Sequence, residues 1–175
     1  QVPPDLGPVE TFSMGYQHAC AILSGGQLRC WGGFPGQESN FPKPPPNLLV
    51  EQMVSGNQFT CALSEQRVHC WGAKLRNSNL EKPLVVQKLP ADLDPVRKLF
   101  AAEHDVCALL LAGKIRCWGE DAAGLHAHLE KLQGVDQIAM GQAHACVLSV
   151  GGEITCLGEN RYGQINVPEI LRSPL

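Results

Sequence analysis

Short apolar runs return along the chain at a steady interval, and each is followed, after a turn, by a segment in which apolar and polar residues alternate. The runs are Cys20-Ala-Ile-Leu23, Cys61-Ala-Leu63, Cys107-Ala-Leu-Leu110 and Cys146-Val-Leu148; Leu28-Arg-Cys-Trp31 and Ile115-Arg-Cys-Trp118 are alternating segments of the second kind. Runs of this length between turn residues read as strands, and the alternation reads as a strand with one face covered. Upstream of each run lies Val-x-x-(Phe/Met/Leu/Ile), an opening strand that starts at Val9, Val50, Val96 or Val135. The pattern predicts an all-β fold with three strands in each of four units, and leaves room for a fourth strand in the connectors.

The repeat cores, residues 9–32, 50–72, 96–119 and 135–158, align almost without adjustment within one domain spanning 1–175. From opening Val to first Cys the step is 11 in every copy, and the two cysteines of a copy lie 10, 9, 10 and 10 apart. All other length variation falls in the connectors, so a rigid unit alternates with a tolerant loop. Opposing the two cysteines across a hairpin leaves the three-residue loops Ser24-Gly25-Gly26, Leu111-Ala112-Gly113 and Val150-Gly151-Gly152. Glycine in the last place supplies the left-handed residue that closes a three-residue hairpin turn. The second copy is one residue shorter, and a two-residue turn at Glu65-Gln66 restores the same opposition.

Eight cysteines can be bridged, metal-bound or buried as thiols, and this register favours bridges. Directly opposed residues on antiparallel strands have Cβ atoms about 4.5–5.5 Å apart, close to what a disulfide needs. Zinc sites draw on C-x₂₋₄-C knuckles, which the chain lacks. The expected pairs are Cys20–Cys30, Cys61–Cys70, Cys107–Cys117 and Cys146–Cys156, one per unit, and they imply an oxidising, secreted or extracellular location. A chain beginning at Gln1 reads as processed or trimmed.

The pattern G-x-x-H-x-C-A-L-x-x-x-G-x-(V/I/L)-x-C-W-G-x-N-x-x-G-Q resembles the regulator-of-chromosome-condensation repeat family in its shorter, cysteine-bearing form. It is carried by Gly15-Tyr-Gln-His-Ala-Cys-Ala-Ile-Leu23 with Cys30-Trp-Gly32, and by Gly141-Gln-Ala-His-Ala-Cys146 with Gly158-Glu-Asn-Arg-Tyr-Gly-Gln164. Departures are Phe59 and Asp105 at the histidine, Ala102 at the glycine and Leu157 at the tryptophan. The resemblance implies a β-propeller of four repeats of about 43 residues. It also points to members that work outside the cell, as β-lactamase-inhibitory propellers and crinkly-type receptor ectodomains. Gln1-Val-Pro-Pro-Asp-Leu6 echoes Asn166-Val-Pro-Glu-Ile-Leu171, so the favoured arrangement is a closed four-bladed ring whose termini meet in one blade. The alternative is an open array completed by further chain or by a second copy.

A net charge of −3 without a Lys/Arg cluster argues against nucleic acid, and no apolar run is long enough to insert in a membrane. Elbow, phosphate-loop and H-E-x-x-H signatures are missing, so no enzyme activity and no cofactor are expected. For a metal the candidates are His18, His104 and His144 near the first cysteines, and His126-Ala-His128 on one strand face; the favoured reading is local capping, with no metal. Trp31, Trp71 and Trp118 read as blade-to-blade packing with the indole N–H satisfied, and Arg29, His69, Arg116 and Thr155 as solvated surface. The expected function is extracellular protein recognition or inhibition through the connectors 34–49 and 73–95, with Lys74, Arg76, Asn77 and Asn79 as the first binding candidates. A lectin-like propeller binding glycan is the alternative.

Overall fold

A computed structural model describes residues 2–33, 44–72, 88–93 and 95–171. Among the described residues twelve strands form four three-stranded antiparallel sheets, each in chain order. They are β1 (Val9–Met14), β2 (His18–Leu23) and β3 (Leu28–Gly32); β4 (Gln52–Ser55), β5 (Phe59–Ser64) and β6 (Arg67–Gly72); β7 (Val96–Ala101), β8 (Asp105–Leu110) and β9 (Ile115–Gly119); and β10 (Val135–Met140), β11 (His144–Ser149) and β12 (Ile154–Gly158). These are the four blades that the repeat predicts.

Register is as expected. Cys20 faces Cys30, Cys61 faces Cys70, Cys107 faces Cys117 and Cys146 faces Cys156. All four pairs are bonded, with Cα atoms 4.0–4.1 Å apart. Gly26, Gly113 and Gly152 close the three-residue turns at φ 79°, 78° and 85°, while Glu65 and Gln66 make the two-residue turn at φ 48° and 63°. Two consecutive left-handed residues give the twist that a tight hairpin needs, here without glycine.

The core lies between blades. Cys20, Ile22, Leu28 and Cys30 of blade one meet Val50, Met53, Ala62 and Trp71 of blade two. Phe59, Cys61, Leu63 and Val68 meet Val96, Leu99, Val106 and Trp118. Leu109, Ile115 and Cys117 meet Val135, Ile138, Ala145 and Val147. Each blade thus has a trailing face that carries the cystine and a leading face that carries the opening-strand apolar residue. Polar struts cross the same interfaces: Gln52 Nε2 donates to the Leu99 carbonyl at 2.9 Å, while its Oε1 accepts from Leu99 N–H at 2.8 Å. Val50 N–H donates to Gly26 O at 2.9 Å and Val96 N–H to Gln66 O at 3.0 Å, which ties the opening valine to the preceding hairpin turn.

The ends of the array differ from its middle. Phe12 and Met14 are 65% and 67% exposed, whereas Met53, Leu99 and Ile138, at the repeat position of Phe12, are 7%, 1% and 6% exposed. Contacts between opening strands run from blade one to two, two to three and three to four. Among the described residues the leading face of blade one is therefore exposed, and the structure does not show the ring closing on itself.

Candidate functional site

The turn between the first two strands of each blade falls on one side of the array, and these four turns form a continuous polar row. Tyr16, Asn57, Glu103 and Gln142 occupy one repeat position, four residues before the first cysteine. Tyr16 N–H donates to the Asn57 carbonyl at 3.1 Å, and Asn57 N–H to the Glu103 carbonyl at 2.8 Å, so adjacent blades are joined turn to turn. The Glu103 carboxylate sits at the centre: Asn57 Nδ2 donates to one oxygen at 3.1 Å and Gln142 Nε2 to the other at 3.0 Å, so one side chain braces three blades. His104 Nε2 lies 3.4 Å from the same carboxylate and its Nδ1 4.0 Å from Glu120. With Tyr16 74% exposed at one end, the row offers an aromatic ring, carboxylates, an imidazole and amides to solvent.

Close packing of these turns explains the Gly-x-x-His motif. The His18 ring folds over Gly15 and the His144 ring over Gly141, leaving no space for a Cβ. Phe59 covers Gly56 in the same way. In the third blade Asp105 is short, and alanine stands at 102. The two departures from the motif therefore belong together. His18 acts as a strut: Nε2 lies 2.8 Å from Thr60 Oγ1 of the next blade. Burial pushes its pKa down, against a smaller upward pull from the Phe59 backbone.

A second cluster lies beside the row. Asp105 Oδ1 accepts Asp121 N–H at 2.8 Å and stands 3.0 Å from His126 Nε2, off the line of an ideal N–H bond. Asp121 Oδ1 accepts the His126 backbone N–H at 3.1 Å. The expected strand carrying His126 and His128 is instead a one-turn helix, α1 (His126–Leu129), with His128 Nδ1 3.2 Å from Gly124 O. Two residues apart on a helix point away from each other, so the rings diverge, while the acidic neighbours arrive from other elements. Among the described residues no group of three or more His, Cys, Asp or Glu is placed to hold a metal.

Burial lowers the His126 pKa, but Asp105, Asp121 and Glu130 together outweigh it and leave it raised above 6.5. Burial raises Asp105, and His126 with the Asp121 amide more than reverses that, holding it below 3.8. The pair's contribution is then complete between these ordinary values. It fades as pH rises through the elevated His126 pKa, and as pH falls through the depressed Asp105 pKa. Asp105→Asn is expected to drop the His126 pKa below 6.5 by NMR titration, and to remove about 1 kcal/mol of stability at pH 5.5 but little at pH 9, read by urea unfolding. An unchanged His126 titration would show that the imidazole and the Asp105 carboxylate do not interact.

Other candidates divide. Trp71 and Trp118 are buried between blades as expected, 6% exposed each, although Trp71 Nε1 has no partner among the described residues. Arg29 and Arg116 lie on the surface as expected, but each is paired: Arg29 with Asp5 at 3.0 Å, Arg116 with Asp92 at 2.8 Å. Lys74, Arg76, Asn77 and Asn79 fall outside the described residues. The turn row escaped notice in the sequence because its members share polarity and not identity; four polar residues at one repeat position were the available signal.

Residues 9–34 and 135–164, the first and last cores, match the family model of the regulator of chromosome condensation (RCC1) repeat. The first and last units match RCC1 repeats. No curated protein matches the chain in sequence. Among solved structures, the ectodomain of the Physcomitrella patens receptor kinase CR4 superposes with a TM-score of 0.68 at 21% identity, covering 94% of this chain and 46% of that one. Yeast RCC1 (Prp20), solved bound to Kap60, gives 0.69 at 18% identity over 99% and 48%. Human WBSCR16 gives 0.67 at 17% over 95% and 52%. At such identities the likeness is one of fold, and this chain spans about half the length of each of these solved structures.

Proposed function

We propose that the chain is an extracellular, non-enzymatic recognition module that binds a protein through the polar turn row and the neighbouring connectors. The observation that carries this reading is the bracing of the row: Glu103 fixes amides from both neighbouring blades, so polar groups from three blades are held in place before any ligand arrives. Preorganised polar groups beside an exposed aromatic ring lose little entropy on binding and suit a protein surface. Four cystines support an oxidising compartment. That yeast Prp20 is seen bound to Kap60 supports protein recognition as a use of this architecture.

The test is capture by the immobilised chain from the extracellular fluid of its source, with a glycan array in parallel. Glu103→Ala with Tyr16→Ala is expected to reduce protein capture about tenfold or more, and Lys74→Ala, Arg76→Ala and Asn79→Ala to reduce it further. Binding to sugar alone would favour the lectin reading. Capture that all these changes leave intact would sink the assignment of the surface.

A further inference from the structure

The connectors after blades three and four are the same loop, fastened in two different ways. Gly119-Glu-Asp-Ala-Ala-Gly124 aligns with Gly158-Glu-Asn-Arg-Tyr-Gly163, and the same bonds close both. Gly124 N–H donates to Asp121 O at 2.9 Å and Gly163 N–H to Asn160 O at 3.2 Å, both glycines being left-handed. Asp121 Oδ1 accepts the His126 N–H at 3.1 Å, and Asn160 Oδ1 the Ile165 N–H at 3.2 Å. In the fourth blade neutral amides do the fastening: Asn160 Nδ2 donates to Asn166 Oδ1 at 2.9 Å, and the motif histidine, His144, packs on Gly141. In the third blade that histidine has become Asp105, and a histidine stands at 126 where the fourth has Ile165. The exchange sets a carboxylate 3.0 Å from an imidazole, each side chain only 15% exposed.

We propose that His126 and Asp105 form a proton-operated latch on this connector, which holds residues 120–124 to blade three while the imidazole is charged and releases them when it loses its proton. The geometry makes the contact depend on charge. Asp105 Oδ1 already accepts the Asp121 N–H at 2.8 Å, and His126 Nε2 stands off the line of a hydrogen bond to it, so what the ring supplies is attraction between charges. Asp121, between them, is a non-glycine residue in the left-handed region at φ 48°, kept there by the bond to Asp105 on one side and to the His126 N–H on the other. Beyond the loop the chain is anchored independently, by Leu125 and Leu129 in the core and by Glu130 Oε1, which accepts the Cys117 N–H at 2.9 Å. Burial works against the charged ring, but Asp105 from β8, Asp121 from the loop and Glu130 beyond α1 face it and hold its pKa above 6.5. The latch is therefore closed in weakly acid solution and opens as pH rises through that raised value. Glu120 rides on the released segment, 4.0 Å from His104 Nδ1 at the edge of the polar row, so pH sets how firmly that edge is presented. This consequence rests on the recognition reading of the row; the latch does not.

Amide hydrogen exchange of the intact, oxidised chain tests the latch by NMR, with each rate divided by that of an unstructured chain at the same pH. Between pH 5.5 and 8.5 the protection of the Asp121 and His126 amides is expected to fall about fivefold or more, the worth of a half-buried charged contact. The Ile165 amide, which makes the equivalent bond in the fourth blade, keeps its protection, and its constancy in each variant reports an intact fold. His126→Gln gives the low protection at both pH values, and Asp105→Asn does the same while leaving an oxygen for the Asp121 N–H. His104→Gln and His128→Gln leave the transition in place, although His104 faces Glu120 and His128 Nδ1 lies 3.2 Å from Gly124 O. No partner enters the measurement, so a row that binds nothing would leave the result standing. Wild-type protection that ignores pH, a fall shared by Ile165, or a transition that survives His126→Gln would each overturn the proposal.

Discussion

Reduction of the four cystines is expected to unfold the array at 37 °C, a larger effect than that of any one substitution. Each bridge closes a loop with a sequence separation of only 9 or 10 residues. In the chain-entropy picture such a loop is still worth about 2–3 kcal/mol, and four together approach the whole stability of a domain, about 5–15 kcal/mol. Packing adds to this, because the sulfurs of the first three blades lie within interfaces between blades and not on the surface. Urea unfolding with and without reductant reads the total, and intact mass before and after reduction counts the bridges by their added hydrogens. Paired replacements rank them: Cys107→Ala with Cys117→Ala costs most, and Cys146→Ala with Cys156→Ala least, because the last bridge lies on the half-buried trailing face. A reduced chain with an unaltered urea midpoint would remove both the stabilising role and the case for an oxidising compartment.

The cysteines were also the most legible feature of the sequence. Two residues at constant spacing across a turn set strand register, and register sets which side chains share a face, so strands, turns and bridges all followed from counting. Even the short second copy was readable, because a missing residue in the turn keeps Cys61 opposite Cys70. Ring closure was not readable. Val9 and Phe12 carry the same residue types as their buried counterparts, and the pattern of a blade is the same whether or not another blade covers it; closure depends on the angle between blades, which no local periodicity encodes. His126-Ala-His128 misled for a different reason. Alternation suggested a strand, yet Leu125 and Leu129, 8% and 0% exposed, are spaced to bury one side of a helical turn. In the turn row, Glu103 acts through partners 46 and 39 residues away in sequence, a distance at which composition says nothing.

Gly56→Ala is expected to cost about 1–3 kcal/mol or more. The backbone here lies outside the left-handed region, so the cost is one of space alone. A Cβ at this position would overlap the Phe59 ring and lie 2.6 Å from the Ala102 carbonyl of the next blade. Phe59 is 2% exposed and packed in the interface between blades two and three, so it has nowhere to move. The carbonyl is equally fixed, since the neighbouring Asn57 N–H to Glu103 O bond at 2.8 Å holds the two turns together. Overpacking of a rigid site commonly costs this much. A double-mutant cycle separates the two obstacles. Phe59→Ala by itself costs about 3–5 kcal/mol through the cavity it leaves, and adding Gly56→Ala to it costs less than in the wild-type background, because the ring clash is gone. What remains of the penalty belongs to the carbonyl, and measures how closely the turns of adjacent blades are pressed together. The third blade shows the relieved form, with Asp105 in place of the ring and alanine already at 102. Full additivity in the cycle would show that the ring does not set the requirement for glycine, and would leave the linked departures at 102 and 105 without this explanation.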